Sequence, residues 1–289
     1  MFKVFLTKIK TSDGVTLDGI YVKPKKRTHR ALVWVHGLTS RFSSGQVLIQ
    51  ELSSQCQKAG IGYFKFNSRG HDIAASGNKK QKIIGGGFER FEECVLDIRA
   101  IILFAKKTGY KNFILAGSST GANKVLYYLY KTKDPCVKAI ILAAPVSDIP
   151  VGRKLYGTRG LARRISLARR MSIKNPLMLM PSEFGLYYSP RRFLSLFTAG
   201  SAEDVVPYHN PNAKWKELIS IRIPIAVIFG SRDQYLDRPA KKLIEIFRSK
   251  AKSTKNFSGI IIKGARHSFQ KKEKELAQAI IKWIKSASA

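Results

Sequence analysis

Residues 113–121 read Phe-Ile-Leu-Ala-Gly-Ser-Ser-Thr-Gly, and the fold of the chain turns on how that stretch is taken. Phe113, Ile114, Leu115 and Ala116 form a short apolar run, which suits a strand buried on both faces. Gly117-Ser118-Ser119-Thr120-Gly121 then fits the pattern G-x-S-x-G centred on Ser119, and residues 122–130 continue with helical character. A serine at the apex of a sharp strand-to-helix turn needs small flanking residues, because the backbone comes back close to itself there. The turn strains the serine backbone, turns its hydroxyl outward and sets it at the positive end of the helix dipole. A Gly/Ser-rich turn without chemistry can carry the same five letters, so the surrounding chain has to decide.

Outward from this stretch, strands and helices alternate. Residues 2–10 and 15–23 alternate apolar and polar on either side of Ser12-Asp13-Gly14, the pattern of an antiparallel hairpin. Residues 31–35 form an apolar strand that ends in His36-Gly37-Leu38-Thr39-Ser40. Residues 43–59 carry Val47, Leu48, Leu52, Cys56 and Ala59 at helical spacing and stop at Gly60. The strand at 61–66 runs into Asn67-Ser68-Arg69-Gly70-His71-Asp72, a polar Gly-rich loop spans 74–87, and a long helix spans 88–108. Beyond the central stretch come a strand at 137–144, a strand at 225–229 closed by Gly230-Ser231-Arg232-Asp233, and a helix at 239–250. A strand at 257–263 then leads to Gly264-Ala265-Arg266-His267-Ser268-Phe269 and a last helix at 272–286.

This alternation implies an α/β fold with a mainly parallel sheet covered on both faces. Ligands bind outside the carboxyl ends of such strands, where each of these polar clusters falls. Between 147 and 216 the alternation gives way to Arg, Leu, Met, aromatics and several prolines. That segment reads as a lid inserted into a core made of 1–146 and 217–289.

Composition narrows the function. Lys and Arg number 52 against 19 Asp and Glu, a formal net charge of +33. Such a field attracts polyanions, anionic lipid surfaces and acidic substrates. No zinc finger, RNP pair or basic zipper is visible, so specific nucleic-acid binding is not expected. Cys56, Cys94 and Cys136 are scattered without C-x-x-C spacing, as buried thiols of a reducing compartment would be. The first ten residues lack the apolar block of a signal peptide, and no run is long enough to span a membrane. A soluble, cytoplasmic protein is expected.

A serine hydroxyl becomes a nucleophile only when a base takes its proton, and the base needs a third group to orient it. His267 and Asp233 both follow strands on the same edge as Ser119. His71 is the rival base, and Asp237 or Asp204 the substitute acids. The order Ser119, Asp233, His267 is the chain order of the α/β-hydrolases, and the sequence resembles that superfamily over nearly its whole length. The resemblance is carried by five pieces in register. They are the strand ending in His36-Gly37, the Asn67-Ser68-Arg69-Gly70-His71 turn, the Gly117–Gly121 elbow, Gly230-Ser231-Arg232-Asp233, and Arg266-His267-Ser268-Phe269. The layout is similar to serine aminopeptidase-like hydrolases, a group that includes monoacylglycerol lipases and feruloyl-type esterases. The elbow itself resembles the Ser-Thr-Gly elbow of an uncharacterised branch known mainly from fungi.

The resemblance implies an α/β-hydrolase fold with an inserted lid, a Ser119-His267-Asp233 triad, and an oxyanion hole made by the backbone N–H groups of Leu38 and Thr120. It implies a small-molecule ester as substrate, cleaved through an acyl-enzyme with neither metal nor organic cofactor. Thioesterase, lipase or peptidase chemistry on the same triad is the alternative, as is a non-catalytic protein of this fold that binds anionic surfaces. Asn67 and Ser118 stand where the family more often has Asp and His; neither position belongs to the triad. His36 is expected to brace backbone near the oxyanion turn, and Arg69 to brace a loop.

In the lid, Leu161, Ile165, Ala168 and Met171 fall at helical spacing among Arg153, Lys154, Arg159, Arg163, Arg164, Arg169 and Arg170. This is a basic amphipathic helix. Its apolar stripe could cover the catalytic edge, or the helix could dock on an anionic membrane surface or admit an acidic substrate. Met178, Leu179, Met180, Phe184, Tyr187, Tyr188, Phe193 and Phe197 suit either an acyl pocket or packing of lid on body.

Overall fold

A computed structural model describes residues 3–26, 28–181, 187–254 and 256–287. Phe2, at the start of the expected hairpin, and Phe184 in the expected lid lie outside the described residues.

The elements follow the expected order. The hairpin strands are β1 (Phe5–Lys10) and β2 (Thr16–Val22), paired antiparallel from Phe5 opposite Tyr21 to Lys10 opposite Thr16. Then come β3 (Arg30–Val35), α1 (Gln46–Lys58) and β4 (Gly62–Phe66). The loop that follows contains a two-rung ladder of β5 (Ala75–Ser76) and β6 (Ile83–Ile84), too short to show as a period in the sequence. The long helix starts later than its apolar pattern suggests: a 3₁₀ turn at Phe91–Glu93 leads into α2 (Cys94–Lys107). β7 (Asn112–Ser118) and α3 (Thr120–Thr132) flank Ser119, followed by β8 (Val137–Ala143).

The segment without alternation folds into α4 (Asp148–Lys174) and α5 (Pro190–Phe197). A one-turn α6 (Lys216–Ile219) returns the chain to β9 (Ile225–Gly230), α7 (Ala240–Lys250), β10 (Phe257–Ile262) and α8 (Glu273–Ala287).

The eight-stranded sheet has the order β1-β2-β4-β3-β7-β8-β9-β10. From β4 through β10 neighbouring strands are parallel, and β2 joins β4 antiparallel. Alternate side chains of each central strand enter opposite cores. Ala31, Val33, Val35, Phe113 and Leu115 pack toward α2, α3 and α7, while Leu32, Trp34, Ile114 and Ala116 pack toward α1 and α8. Both faces are covered, so the interiors of these strands are mainly apolar.

From β3 the chain crosses through α1 to β4 on one side and then returns through α2 to β7 on the other. The strand order therefore reverses between β3 and β7, and a crevice opens at their carboxyl ends. His36 and Ser119 lie at those two ends. Over them, α4 and α5 pack through Leu161, Ala168, Phe193, Leu196 and Phe197, with Leu38 against the same cluster. α4 kinks at Gly157, whose backbone (φ 67°, ψ 162°) leaves helical space at a position open to a glycine.

Candidate active site

The turn between β7 and α3 has the strain that its composition implies. Ser119 sits at φ 55°, ψ −129°, a region that costs a residue with a side chain about 1–3 kcal/mol. Its N–H donates to Ala143 O at 2.9 Å and its carbonyl accepts from Ala122 N at 2.9 Å, which ties the strained residue to β8 and to the first turn of α3. The flanking glycines are required by close approach. A Cβ on Gly117 would lie 2.2 Å from Gly121 O, and one on Gly121 would lie 2.3 Å from Val35 O. Gly37, across the crevice, would bring a Cβ within 3.1 Å of Ser119 Cβ.

His267 follows β10 and Asp233 follows β9. Asp233 Oδ2 accepts from His267 Nδ1 at 2.8 Å, and its other oxygen accepts from Tyr235 N at 2.9 Å. The carboxylate is fully buried, and as an acceptor it fixes the proton of the imidazole on Nδ1. The Tyr235 ring meets the imidazole edge-on with centroids 4.7 Å apart, and Gln234 Oε1 accepts from His267 N at 3.2 Å. Nε2 has no hydrogen-bond partner among the described residues.

Ser119, His267, Leu38 and Thr120 line one cavity of about 580 Å³. Trp34, Leu48, Lys65 and Phe269 line it from the core, and Asp148, Val151, Leu155, Tyr188 and Phe197 from the segment that carries α4 and α5. The backbone N–H groups of Leu38 and Thr120 have no acceptor among the described residues.

The cavity's other histidine, His36, is fully engaged. Its Nε2 accepts from Ser68 N at 2.8 Å, so Nδ1 carries the proton and donates to Gly37 O at 2.8 Å. Burial first, and the Lys124 charge second, pull its pKa down to about 3, so it stays neutral. By holding the Gly37 carbonyl, His36 orients the peptide whose N–H belongs to Leu38. It braces the turn, as its position before Gly37 suggests.

The rival residues are occupied elsewhere. His71 Nδ1 pairs with Asp72 at 2.7 Å, Asp237 pairs with Arg238 at 2.8 Å, and Asp204 lies 3.6 Å from His209. Arg69 is buried in a brace that joins three elements: it pairs with Asp97 on α2 at 2.9 Å, with Asp13 in the hairpin turn at 3.0 Å, and with Glu93 at 2.7 Å.

Sequence reasoning missed a chain of buried charge behind the crevice. Lys124 Nζ donates to Glu89 Oε2 at 2.6 Å and to Ser68 Oγ at 3.3 Å. Glu89 Oε1 accepts from Arg192 Nη2 at 3.0 Å, and Arg192 also pairs with Glu203. The chain links α3, the Ser68 turn that holds His36, and α5. Lys65 and Asp148 were missed as cavity residues as well. The available signal was a charged residue inside an apolar run: Lys65 in Gly-Tyr-Phe-Lys-Phe, Lys124 in a helix otherwise fit for the core.

A family described as "Protein of unknown function (DUF1749)" matches residues 17–287. No curated protein matches the sequence. Among solved structures, a soluble variant of monoglyceride lipase from Saccharomyces cerevisiae, in complex with a substrate analogue, superposes with a TM-score of 0.70 at 15% identity, covering 99% of this chain and 96% of that one. Est1E from Butyrivibrio proteoclasticus, with ferulic acid bound, gives 0.67 at 17% identity, covering 97% and 99%. The Pyrococcus furiosus esterase Pf2001 gives 0.66 at 18% identity, covering 99% and 91%. The fold is that of the α/β-hydrolases.

Proposed function

The chain belongs to the family described as proteins of unknown function (DUF1749), and from that premise we propose that it is a serine hydrolase of carboxylic esters. The observation that carries the reading is His267, held through Nδ1 by a buried Asp233 at 2.8 Å, in the same cavity as the strained Ser119. The shared fold of two esterases and a monoglyceride lipase supports it.

In this reading His267 Nε2 takes the Ser119 hydroxyl proton as the oxygen attacks the ester carbonyl. The carbonyl oxygen gains negative charge and is met by the N–H groups of Leu38 and Thr120. Asp233 stabilises the imidazolium that forms. Collapse of the tetrahedral intermediate breaks the bond to the alcohol, which leaves with the proton from Nε2. Water, deprotonated by the same nitrogen, then attacks the acyl-enzyme and restores Ser119. The residues in these roles need no metal or cofactor.

Residues 147–216 serve as the lid: Val151 and Leu155 of α4 line the cavity, and beyond the kink Leu161 and Ala168 pack on α5. Labelling by a fluorophosphonate probe tests the nucleophile: wild type should label and folded Ser119→Ala should not. No labelling of folded wild type would favour a non-catalytic protein of this fold. A panel of 4-nitrophenyl esters of increasing length, a feruloyl ester, an acyl-CoA and an aminoacyl anilide separates ester, thioester and peptide preference.

One observation favours a membrane role for the lid. Ile173 is 83% exposed, and Leu177, Met178 and Leu179 beside it are exposed too, with Arg163, Arg169, Arg170 and Lys174 exposed on the same helix. An apolar tip ringed by cations suits the surface of an anionic bilayer. Among the described residues no helix is long and apolar enough to cross one. Pelleting with anionic but not neutral vesicles, reduced when Arg163, Arg169 and Arg170 are changed to Glu, supports docking; equal pelleting of both proteins refutes it.

A further inference from the structure

One charged side chain of the cavity has no part in the hydrolytic steps. Lys65 on β4 is 4% exposed, yet it lines the cavity that holds Ser119 and His267. Tyr63, two residues earlier, packs into the core under α1 and α8, so Lys65 projects from that same face of the sheet. An ammonium has three N–H donors, and the one acceptor that Lys65 finds among the described residues is Ser44 O, at 2.5 Å. Burial pulls its pKa down to about 7, and no carboxylate among the described residues offsets the effect.

Such a group carries an uncompensated desolvation cost that a bound anion would relieve. Its surroundings suit an anion. α1 starts just beyond Ser44, is capped by Gly45 without a side-chain hydrogen bond, and has no acidic residue in its first turn, so the positive end of its dipole is not neutralised. Ser40, Ser44 and Gly45 line the cavity with Lys65. Burial first, and the nearby Glu203 second, raise the pKa of Asp148, an acid of the same cavity, well above the ordinary carboxylate value, with Arg192 opposing them, which weakens its repulsion of an incoming anion. The net charge of +33 draws anions toward the protein as a whole.

We propose that Lys65 forms an anion subsite beside Ser119, so that the preferred ester carries a free carboxylate. The inference rests on the hydrolase reading above. A carboxylate suits the site better than a phosphate dianion, because one ammonium balances one charge and a second would stay unpaired.

The test compares two substrates that differ by a methyl group: mono-4-nitrophenyl glutarate, which has a free carboxylate, and its neutral methyl ester. At about 0.5 M salt the long-range field is screened beyond a few ångströms. Wild type is expected to favour the acid ester in kcat/KM by about tenfold or more, the worth of one hydrogen bond between charged groups. Lys65→Met changes the global field little and should abolish the preference. A wild-type ratio of one or less overturns the proposal whatever the variant does, and so does a preference that survives in folded Lys65→Met. If neither ester is cleaved and Ser119 does not label, it is the hydrolase reading that fails. The subsite is then read by calorimetric titration of monomethyl glutarate into Ser119→Ala protein. Binding that disappears in Ser119→Ala/Lys65→Met supports the subsite, and absence of binding refutes it.

Discussion

Replacing Gly37 by alanine should separate catalysis from folding. The added Cβ would stand 3.1 Å from Ser119 Cβ, 3.2 Å from Ser118 O and 3.7 Å from Ser119 Oγ, about 0.3 Å inside ordinary contact at its closest. Ser118 and Ser119 have little freedom to retreat, since Ser119 N is bonded to Ala143 O and Ser118 pairs with Ala143 in the sheet. The movement therefore falls on the Gly37–Leu38 peptide, whose N–H is the proposed oxyanion donor, and on the serine hydroxyl. Losing one oxyanion donor costs about 10²–10³ in kcat, so a partial displacement should cost about 10- to 100-fold, mostly in kcat.

Stability should change by less than about 1 kcal/mol, because a few tenths of an ångström of overlap relaxes locally. Gly121→Ala makes the contrast. Its Cβ would lie 2.3 Å from Val35 O and 2.5 Å from His36 O, both backbone atoms, so α3 and β3 must move apart at a cost of about 3 kcal/mol. Steady-state kinetics on a 4-nitrophenyl ester and urea unfolding of both variants provide the readout. A folded Gly37→Ala protein with wild-type kcat/KM would refute the reasoning, as would a stability loss in Gly37→Ala equal to that in Gly121→Ala.

Asp233→Asn should lower kcat/KM by about 10³–10⁴-fold while the protein stays folded, since an amide can no longer fix the His267 tautomer; a loss below tenfold would point to another acid. Glu89→Gln should destabilise the fold by about 3–5 kcal/mol in urea melts, because it leaves Lys124 and Arg192 buried without their shared carboxylate. His36 should give the protein a pH-dependent stability. Unfolded, it takes a proton below its ordinary 6.5, whereas burial and Lys124 delay that in the fold to about 3. The stability it contributes is thus present above 6.5 and is lost as pH falls toward 3, at about 1.4 kcal/mol per pH unit. The difference between wild type and His36→Gln in unfolding free energy should narrow with that slope from pH 6.5 downward; parallel curves would show that His36 protonates in the fold.

Residues near one another in the chain determined much of this protein by themselves. Apolar runs set the strands, because a strand covered on both faces has no polar side to show. Gly117, Gly121 and the serine between them announced the strained turn, because steric crowding there involves only neighbouring backbone. The order of Ser119, Asp233 and His267, each just past a strand, put them on one edge of a parallel sheet. The two-rung ladder of β5 and β6 and the late start of α2 were not legible, since both depend on contacts too short or too distant to leave a period.

Only the tertiary structure decided which polar groups meet. Asp233 and His267 are 34 residues apart, and Asp237 stayed a substitute acid until the Asp233 carboxylate was found buried against Nδ1. Sequence reasoning gave Lys65, Lys124, Glu89 and Arg192 no partner, because a charged side chain faces water by default. Whether it is instead buried, and what it pairs with, is set by residues that other elements bring to its side, which no window along the chain contains.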